Sequence, residues 1–263
     1  MSSPKPDWWL RLAENAALPP TQPRRALRIE AAASPVGSIE PGLADRLRAA
    51  GLPLQLHGDD VELLTGAPDA ALAELAHWLF AQGLGGPWRD ELLAVTDQHG
   101  TRHAVIERAA VRPLGIATFA VHVIGCTPQG GFWVQQRAFD KATDPGLWDT
   151  LMGGMVAANE TVAGALERET WEEAGLRLAD LHALQPAGRV TVRRPVKQGY
   201  MVEHSDVFEA VIPAALTPVN QDGEVDRFEC LAPAALLERL AAGQFTLEAA
   251  LMLAASLRRR GLV

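Results

Sequence analysis

Residues 154–176 read GMVAANETVAGALERETWEEAGL, and the reading of this stretch decides the rest of the chain. From about Thr161 onward the spacing is helical, and Glu169, Glu172 and Glu173 recur at i, i+3 and i+4, which places them on one helix face. At about 100° per residue that face also carries Val162, Ala165 and Leu166, so the acids continue the apolar stripe instead of opposing it. Inward carboxylates that are ionised and unpaired cost several kcal/mol each, so they must be neutral, paired with cations or bound to a metal. Arg168 can neutralise only one of them. Hard divalent cations take oxygen ligands from clustered carboxylates, and Mg²⁺ keeps waters and substrate phosphates in its remaining positions.

Composition alone favours a plainer reading, an exposed Glu-rich helix held by i, i+4 ion pairs. The loop ahead of the helix argues against it. Gly153 and Gly154 follow an apolar strand candidate, Thr161 is placed to cap the helix, and Glu160 stands just before it. Backbone that closely approaches a metal or a phosphate needs glycine.

Working outward, a chain of 263 residues with 48% apolar content can bury a sizeable core as one large domain or two modest ones. The formal net charge of −8, with 24 scattered Lys and Arg, argues against a nucleic-acid partner, although small anions could bind through a local patch or a metal. Cys126 and Cys230 are the only cysteines, and their apolar contexts fit buried free thiols in a reducing compartment. The N-terminus MSSPKPDWWLRLAENA does not have the pattern of a secretory signal, and no segment approaches about 18 uninterrupted apolar residues, so the expectation is a cytoplasmic protein with no membrane partner.

Up to about Arg112 the predicted elements are short and mixed. They are an aromatic helix at 7–16, a strand at 26–29, a helix from Pro41 to Gly51, and a strand pair turning at Gly58-Asp59-Asp60. A helix from Pro68 to Gly83 and a hairpin through Gln98-His99-Gly100 complete this part. The division expected is a small α+β N-terminal module over 1–111 and a second domain over 112–263. In the latter, strands IATFAVHVIGC and FWVQQR precede the quoted helix, strands AGRVTVRR and HSDVFEAVI follow it, and helices at 232–242 and 247–259 close the chain. This order predicts an α/β fold, a mixed sheet with helices on both faces.

The quoted stretch also matches the Nudix box, Gly-x5-Glu-x7-Arg-Glu-U-x-Glu-Glu-x-Gly-U with U aliphatic, at Gly154, Glu160, Arg168, Glu169, Glu172, Glu173, Gly175 and Leu176. The one departure is Thr170 at the first U. By this resemblance residues 112–263 look like a Nudix hydrolase, an α/β/α sandwich that cleaves diphosphates linked to another moiety. The resemblance implies Mg²⁺ or Mn²⁺ as cofactor and Glu169, Glu172 and Glu173 as its ligands. It gives Glu160 an accessory role, offers the Gly153 carbonyl as a further ligand, and makes Arg168 the residue that orients the carboxylates. Glu169 and Glu173 are the candidates for catalytic carboxylates.

Outside the box, RAFDKATDPGLWDTLMGG at 137–154, NQDGEVDRFECL at 220–231 and WRDELLAVTDQHGTRHAVIERAAVRPLGI at 88–116 resemble one branch of the family. In that branch a small N-terminal module precedes the Nudix domain, and related domains occur fused to thiamine pyrophosphokinase. It implies a small-molecule partner, thiamine diphosphate or an oxidised analogue, hydrolysed to the monophosphate. Nucleoside diphosphate derivatives of the ADP-ribose or dinucleotide type, a non-catalytic nucleotide sensor, and isopentenyl diphosphate isomerase are the competing readings. The last needs a catalytic cysteine with histidines near it, a setting Cys126 lacks in sequence. A homodimer is a possible assembly.

Read from the residues themselves, Arg137 and Lys141 flank the segment leading to the glycines, either holding a terminal phosphate or standing solvated on an edge. Glu224 either completes a metal shell from its turn or is merely solvated. Trp133 and Trp148 would stack a ring or sit in the core, and Trp171 is expected to pack on a neighbouring element. None of the seven histidines has ligand spacing.

Overall fold

In the computed structural model residues 7–263 are described; the first six residues, on which the reading of the N-terminus partly rests, lie outside the described residues. Three sheets organise the chain. A four-stranded sheet takes β1 (Arg25–Ile29), β2 (Gly37–Ile39), β3 (Leu54–His57) and β4 (Val61–Leu64) in the order β2-β1-β4-β3. With helices α2 (Pro41–Ala49) and α3 (Pro68–Ala81) it encloses a core that includes Leu27, Ile39, Leu47, Leu72 and Leu75. The hairpin β5 (Leu92–Thr96) and β6 (Arg102–Glu107) packs its buried residues Leu93, Val95 and Ile106 into the same core.

The large sheet runs β11-β12-β7-β8-β13, where β7 is Ala117–Cys126, β8 Phe132–Arg137, β11 His182–Val196, β12 Gly199–Val211 and β13 Val225–Leu231. It is mixed: β12 pairs parallel with β7, and the remaining neighbours are antiparallel. Alternation along β7 divides the core. Val121 and Val123 pack with Ala165 and Leu166 of α4 (Val162–Ala174), whereas Ile124 and Cys126 face the opposite side with α5 (Pro233–Ala241) and α6 (Leu247–Arg259). The helices thus cover both faces.

The feature that creates a cleft is the parting of β7 from β8. They pair only at Gly125↔Trp133 and Cys126↔Phe132; beyond that, β10 (Met152–Met155) takes over the edge of β7 and β9 (Trp148–Asp149) that of β8. The chain between them is spread into an opening lined with backbone and polar side chains.

Helix α1 (Asp7–Asn15) packs on α6, with Trp8 and Leu12 against the core under that helix, and Ala17 bridges to Arg193 of β11. Two contacts tie the β5–β6 hairpin to the loop before α4: Ala158 N donates to Leu92 O at 2.7 Å and Arg102 Nη1 to Ala158 O at 2.5 Å.

Several expectations need correction. Strands β2 and β13 were not foreseen, because β2 has three residues and β13 shows no period-two burial. Cys126 is buried but Cys230 is exposed, on a strand with one open face; both thiols are free. Val162 is exposed at the start of α4 rather than part of the buried stripe, and Trp171 is 47% exposed, with the Arg177 guanidinium 5.8 Å from the centre of its ring. No helix among the described residues is long and apolar enough to cross a membrane.

Candidate active site

Helix α4 is delimited as its sequence dictates. Thr161 accepts the Gly164 amide at 3.1 Å, and Gly175 ends the helix at φ 63°, a left-handed conformation in which a Cβ would also press on Val219 O at 2.6 Å. Thr170, the departure from the box, is fully buried, and its hydroxyl donates to Leu166 O at 2.6 Å, so the polar atom is satisfied within the helix.

The three box carboxylates differ in depth. Glu173 is 2% exposed, and its Oε2 accepts from Gln135 Nε2 at 2.8 Å and from Gly153 N at 2.9 Å. Burial pushes its pKa up to about 8, against the attraction of Lys141, whose Nζ is 3.9 Å from Oε1. Glu169 is raised to about 7, again chiefly by burial, although Arg168 Nη1 lies 2.8 Å from its Oε1. Glu172 is the outermost, its side chain 41% exposed.

Arg168 reaches more of the cluster than its single charge suggested. It holds Glu160 through Nε at 2.7 Å and Nη2 at 2.9 Å, Glu172 through Nη1 at 2.9 Å, and the Met155 carbonyl through Nη2 at 3.1 Å. The Glu160 carboxyl is held below the usual carboxylate range by these bonds. The glycines are required by contact: a Cβ on Gly154 would overlap the Glu169 carboxylate, and one on Gly153 would overlap the His122 ring.

Lys141 sits inside the acidic cluster, paired with Glu224 and near Glu173. Arg137 faces Asp149, with Nη1 3.5 Å from Oδ2, and donates from Nη2 to Thr143 O at 3.2 Å. Both line a cavity of about 620 Å³ together with Gly153, Glu160, Glu169 and Glu173; Glu172 and Glu224 also border it. Arg89, Glu91 and Arg108 from the N-terminal part form part of its rim. None of Trp133, Trp148 and Trp171 lines it. Trp148 is buried on the far face between Arg227 and Arg239, and Trp133 packs in the core under α4.

Sequence reasoning missed the other half of the cavity, where Arg112, His122, Asp149, Arg194, Glu203 and Glu248 gather. His122 lies 3.0 Å from Thr150 Oγ1, and burial lowers its pKa, keeping the ring neutral. One signal was available: Thr118 and His122, four apart on a strand, share a face that is otherwise apolar.

The donor set fits a hard divalent cation. All candidate ligands are oxygens, burial raises the Glu169 and Glu173 carboxyls to about 7 and about 8, and the backbone at Gly153–Gly154 comes so close that a Cβ would overlap the Glu169 carboxylate or the His122 ring. Among the described residues no three His, Cys, Asp or Glu side chains already converge at ligating geometry. Arg168 and Lys141 stand among the acids instead, each drawing carboxylates toward itself.

Residues 117–251 match the NUDIX domain. The chain belongs to the Nudix family. Nudix hydrolase 20, chloroplastic, of Arabidopsis thaliana is 30% identical over 129 residues, 48% of this chain and 34% of that protein, so the chain spans about a third of the relative's length. An isopentenyl-diphosphate Delta-isomerase of Streptomyces coelicolor is 30% identical over 158 residues, covering 59% of this chain and 78% of the isomerase. Among solved structures, DR0079 from Deinococcus radiodurans superposes with a TM-score of 0.50 at 26% identity, covering 65% of this chain and 98% of that one. The box at residues 154–176 falls within the matched range. The isomerase reading meets an obstacle: Cys126 lies in the core under α6, away from the cavity, and burial pushes its thiol up to about 11.

Proposed function

We propose that the protein is a Mg²⁺- or Mn²⁺-dependent Nudix diphosphohydrolase whose substrate is thiamine diphosphate or an oxidised analogue, cleaved to the monophosphate and orthophosphate. The observation that carries the hydrolase reading is the pair Glu169 and Glu173, held in a cavity with raised pKa, the first against Gly154 where a Cβ would overlap it and the second bonded by the Gly153 amide. A sensor that only bound the ligand would have no need of a full set of costly acids.

Glu169, Glu172 and Glu173 would hold the cation, with Glu160, Glu224 and the Gly153 carbonyl as further oxygens. Bound there, it would neutralise the diphosphate and lower the pKa of a coordinated water. The chain's own residues do the rest. Arg168 fixes Glu160, Glu169 and Glu172 relative to one another, while Gln135 and the Gly153 amide fix Glu173. Glu169 or Glu173 takes the proton of the attacking water. Lys141 and Arg137 hold the terminal phosphate. The N-terminal module, residues 1–111, borders the cavity and supplies substrate-facing surface without a reacting group.

The thiamine assignment is supported by the resemblance of residues 88–116, 137–154 and 220–231 to the thiamine-linked branch. Incubating the purified chain and Mg²⁺ with thiamine diphosphate, its oxidised analogues, ADP-ribose and a dinucleotide tests it directly. Turnover of a nucleotide at least tenfold more efficiently than every thiamine compound, about 1.4 kcal/mol in transition-state binding, would leave the hydrolase and remove the thiamine reading.

A further inference from the structure

The half of the cavity away from α4 contains an acid that the chain itself does not answer. There β7 and β12 run parallel, so Thr118 lies opposite Glu203, and α6 brings Glu248 to the same space. Glu203 is satisfied: Arg112 Nη2 donates to it at 2.8 Å and Thr118 Oγ1 at 3.2 Å. Glu248 is not. It is only 9% exposed, and among the described residues its carboxyl finds no donor beyond its own backbone amide. Burial and the nearby Glu203 push its pKa up to about 7, opposed by its own backbone amide and by Arg194, with Asp149 adding repulsion. Arg194 is itself incompletely used, since its Nε is buried without a partner and its side chain lines the cavity.

An acid in the first turn of a helix can serve that helix's N-terminus, but here the end is already capped. Thr246 Oγ1 accepts the Ala249 amide at 3.2 Å. A surface position would serve the helix equally without the cost of burial. Buried polar atoms are ordinarily paired, whereas Arg194 Nε is buried without a partner, and both Arg194 and the carboxyl of Glu248, held by no side chain among the described residues, border open cavity.

We propose that this half of the cavity holds the leaving group, and that Glu248, backed by Glu203 and Arg194, pairs with the amino and ring-nitrogen edge of an amino-substituted nitrogen heteroaromatic ring. The inference rests on the diphosphohydrolase reading for its placement of the diphosphate at α4. The pairing is chemically complete in either protonation state. As a carboxylate, Glu248 accepts from the amino group and from a protonated ring nitrogen; as an acid, it donates its proton to the ring nitrogen and accepts from the amino group. An aliphatic group offers neither bond and leaves Glu248 as costly as before. At about 620 Å³ the cavity has room for a ring and a diphosphate together.

Aminopyrimidines and adenine share this edge, and the test separates them. With Mg²⁺ present, the full chain and its Glu248→Leu variant are titrated by calorimetry with thiamine monophosphate, adenosine monophosphate and the ring-free isopentyl monophosphate, a readout that needs no turnover. The expected result is that the unaltered protein binds one of the two amino-heteroaromatic phosphates at least tenfold tighter than the ring-free one. Glu248→Leu abolishes that preference, leaves isopentyl monophosphate binding unchanged, and keeps or raises the Tm of the free protein. Which of the two binds identifies the source of the ring. A preference that survives in Glu248→Leu, or no preference in the unaltered protein, overturns the inference. A preference lost as expected in a protein that hydrolyses none of the corresponding diphosphates sustains the pocket and refutes the hydrolase reading.

Discussion

Glu62 and Glu173 are both almost fully buried, and they are treated in opposite ways. Glu62, on β4 in the N-terminal part, is 0% exposed and is gripped by Arg25 Nη1 at 2.9 Å and by Arg48. Glu173, on α4, has only neutral hydrogen-bond donors within contact and a lysine at 3.9 Å that leans toward Glu224 instead. The first carboxylate has its countercharge supplied by the fold and does not line the cavity at α4. The second is hydrogen-bonded by groups that orient it but do not neutralise it. A buried acid answered by arginines belongs to the architecture, whereas one answered by amides beside a cavity is waiting for a charge from outside.

Substitution should separate the two most sharply. Glu173→Gln keeps the volume and the cavity, so the free protein should fold with an equal or higher Tm, while kcat falls by about three orders of magnitude, the scale set by losing a positioned proton acceptor with its metal contact. Measured turnover within tenfold of the original would merge the two classes. Glu62→Gln should do the reverse. Removing one partner leaves Arg25 and Arg48 sharing the exposed Asp45 in place of a buried carboxylate, and because both guanidinium groups are partly exposed the cost should be roughly 2–4 kcal/mol, toward the low side of buried pairs. Chemical denaturation gives that number, and kcat per folded molecule should not move.

The pH dependence sharpens the contrast further. Glu169 and Glu173 have native pKa values of about 7 and about 8, above the ordinary 4.5, so the native state binds more protons than the unfolded chain between those values. Their contribution is therefore intact at low pH and is lost as pH rises from about 4.5 through 8. In EDTA, Tm should decline across that window, and saturating Mg²⁺ should raise Tm more at pH 8 than at pH 6. An equal Mg²⁺ shift at both would show that the cation does not meet these two acids.

The smallest effect concerns Thr170. Its hydroxyl bonds to the Leu166 carbonyl, an acceptor already used by the helix, so Thr170→Val leaves nothing unsatisfied and restores an aliphatic residue at that position of the box. Stability should change by less than about 1 kcal/mol and activity not at all.

The same contrast explains what could be read in advance. Helix α4, its cap at Thr161, its stop at Gly175 and its inward acids are local patterns, and local patterns survive in a linear chain. The depth of each acid did not, because it depends on β10 passing beneath Glu169 and Glu173. The half of the cavity around Glu203 was illegible for a stronger reason. Thr118 and Glu203 are 85 residues apart and meet only because β12 lies parallel to β7, while Glu248 arrives from a helix whose own periodicity marks it as an ordinary first-turn acid. β11 was visible only in its middle, since its exposed face and its irregular pairing between His182 and Gly188 show no alternation.

The two bonds between the β5–β6 hairpin and Ala158 bear on how this protein is cut and recombined. Ala158 lies two residues before Glu160, in the loop that sets where α4 begins, and its amide and carbonyl are both claimed by residues N-terminal to 112. A truncation at that boundary would release the loop along with the module, so lost turnover in such a fragment would report a slackened loop and say nothing about missing chemical groups. Chimaeras between relatives are better spliced ahead of Trp88, carrying the hairpin with the loop it anchors, so that both bonds to Ala158 stay within one piece.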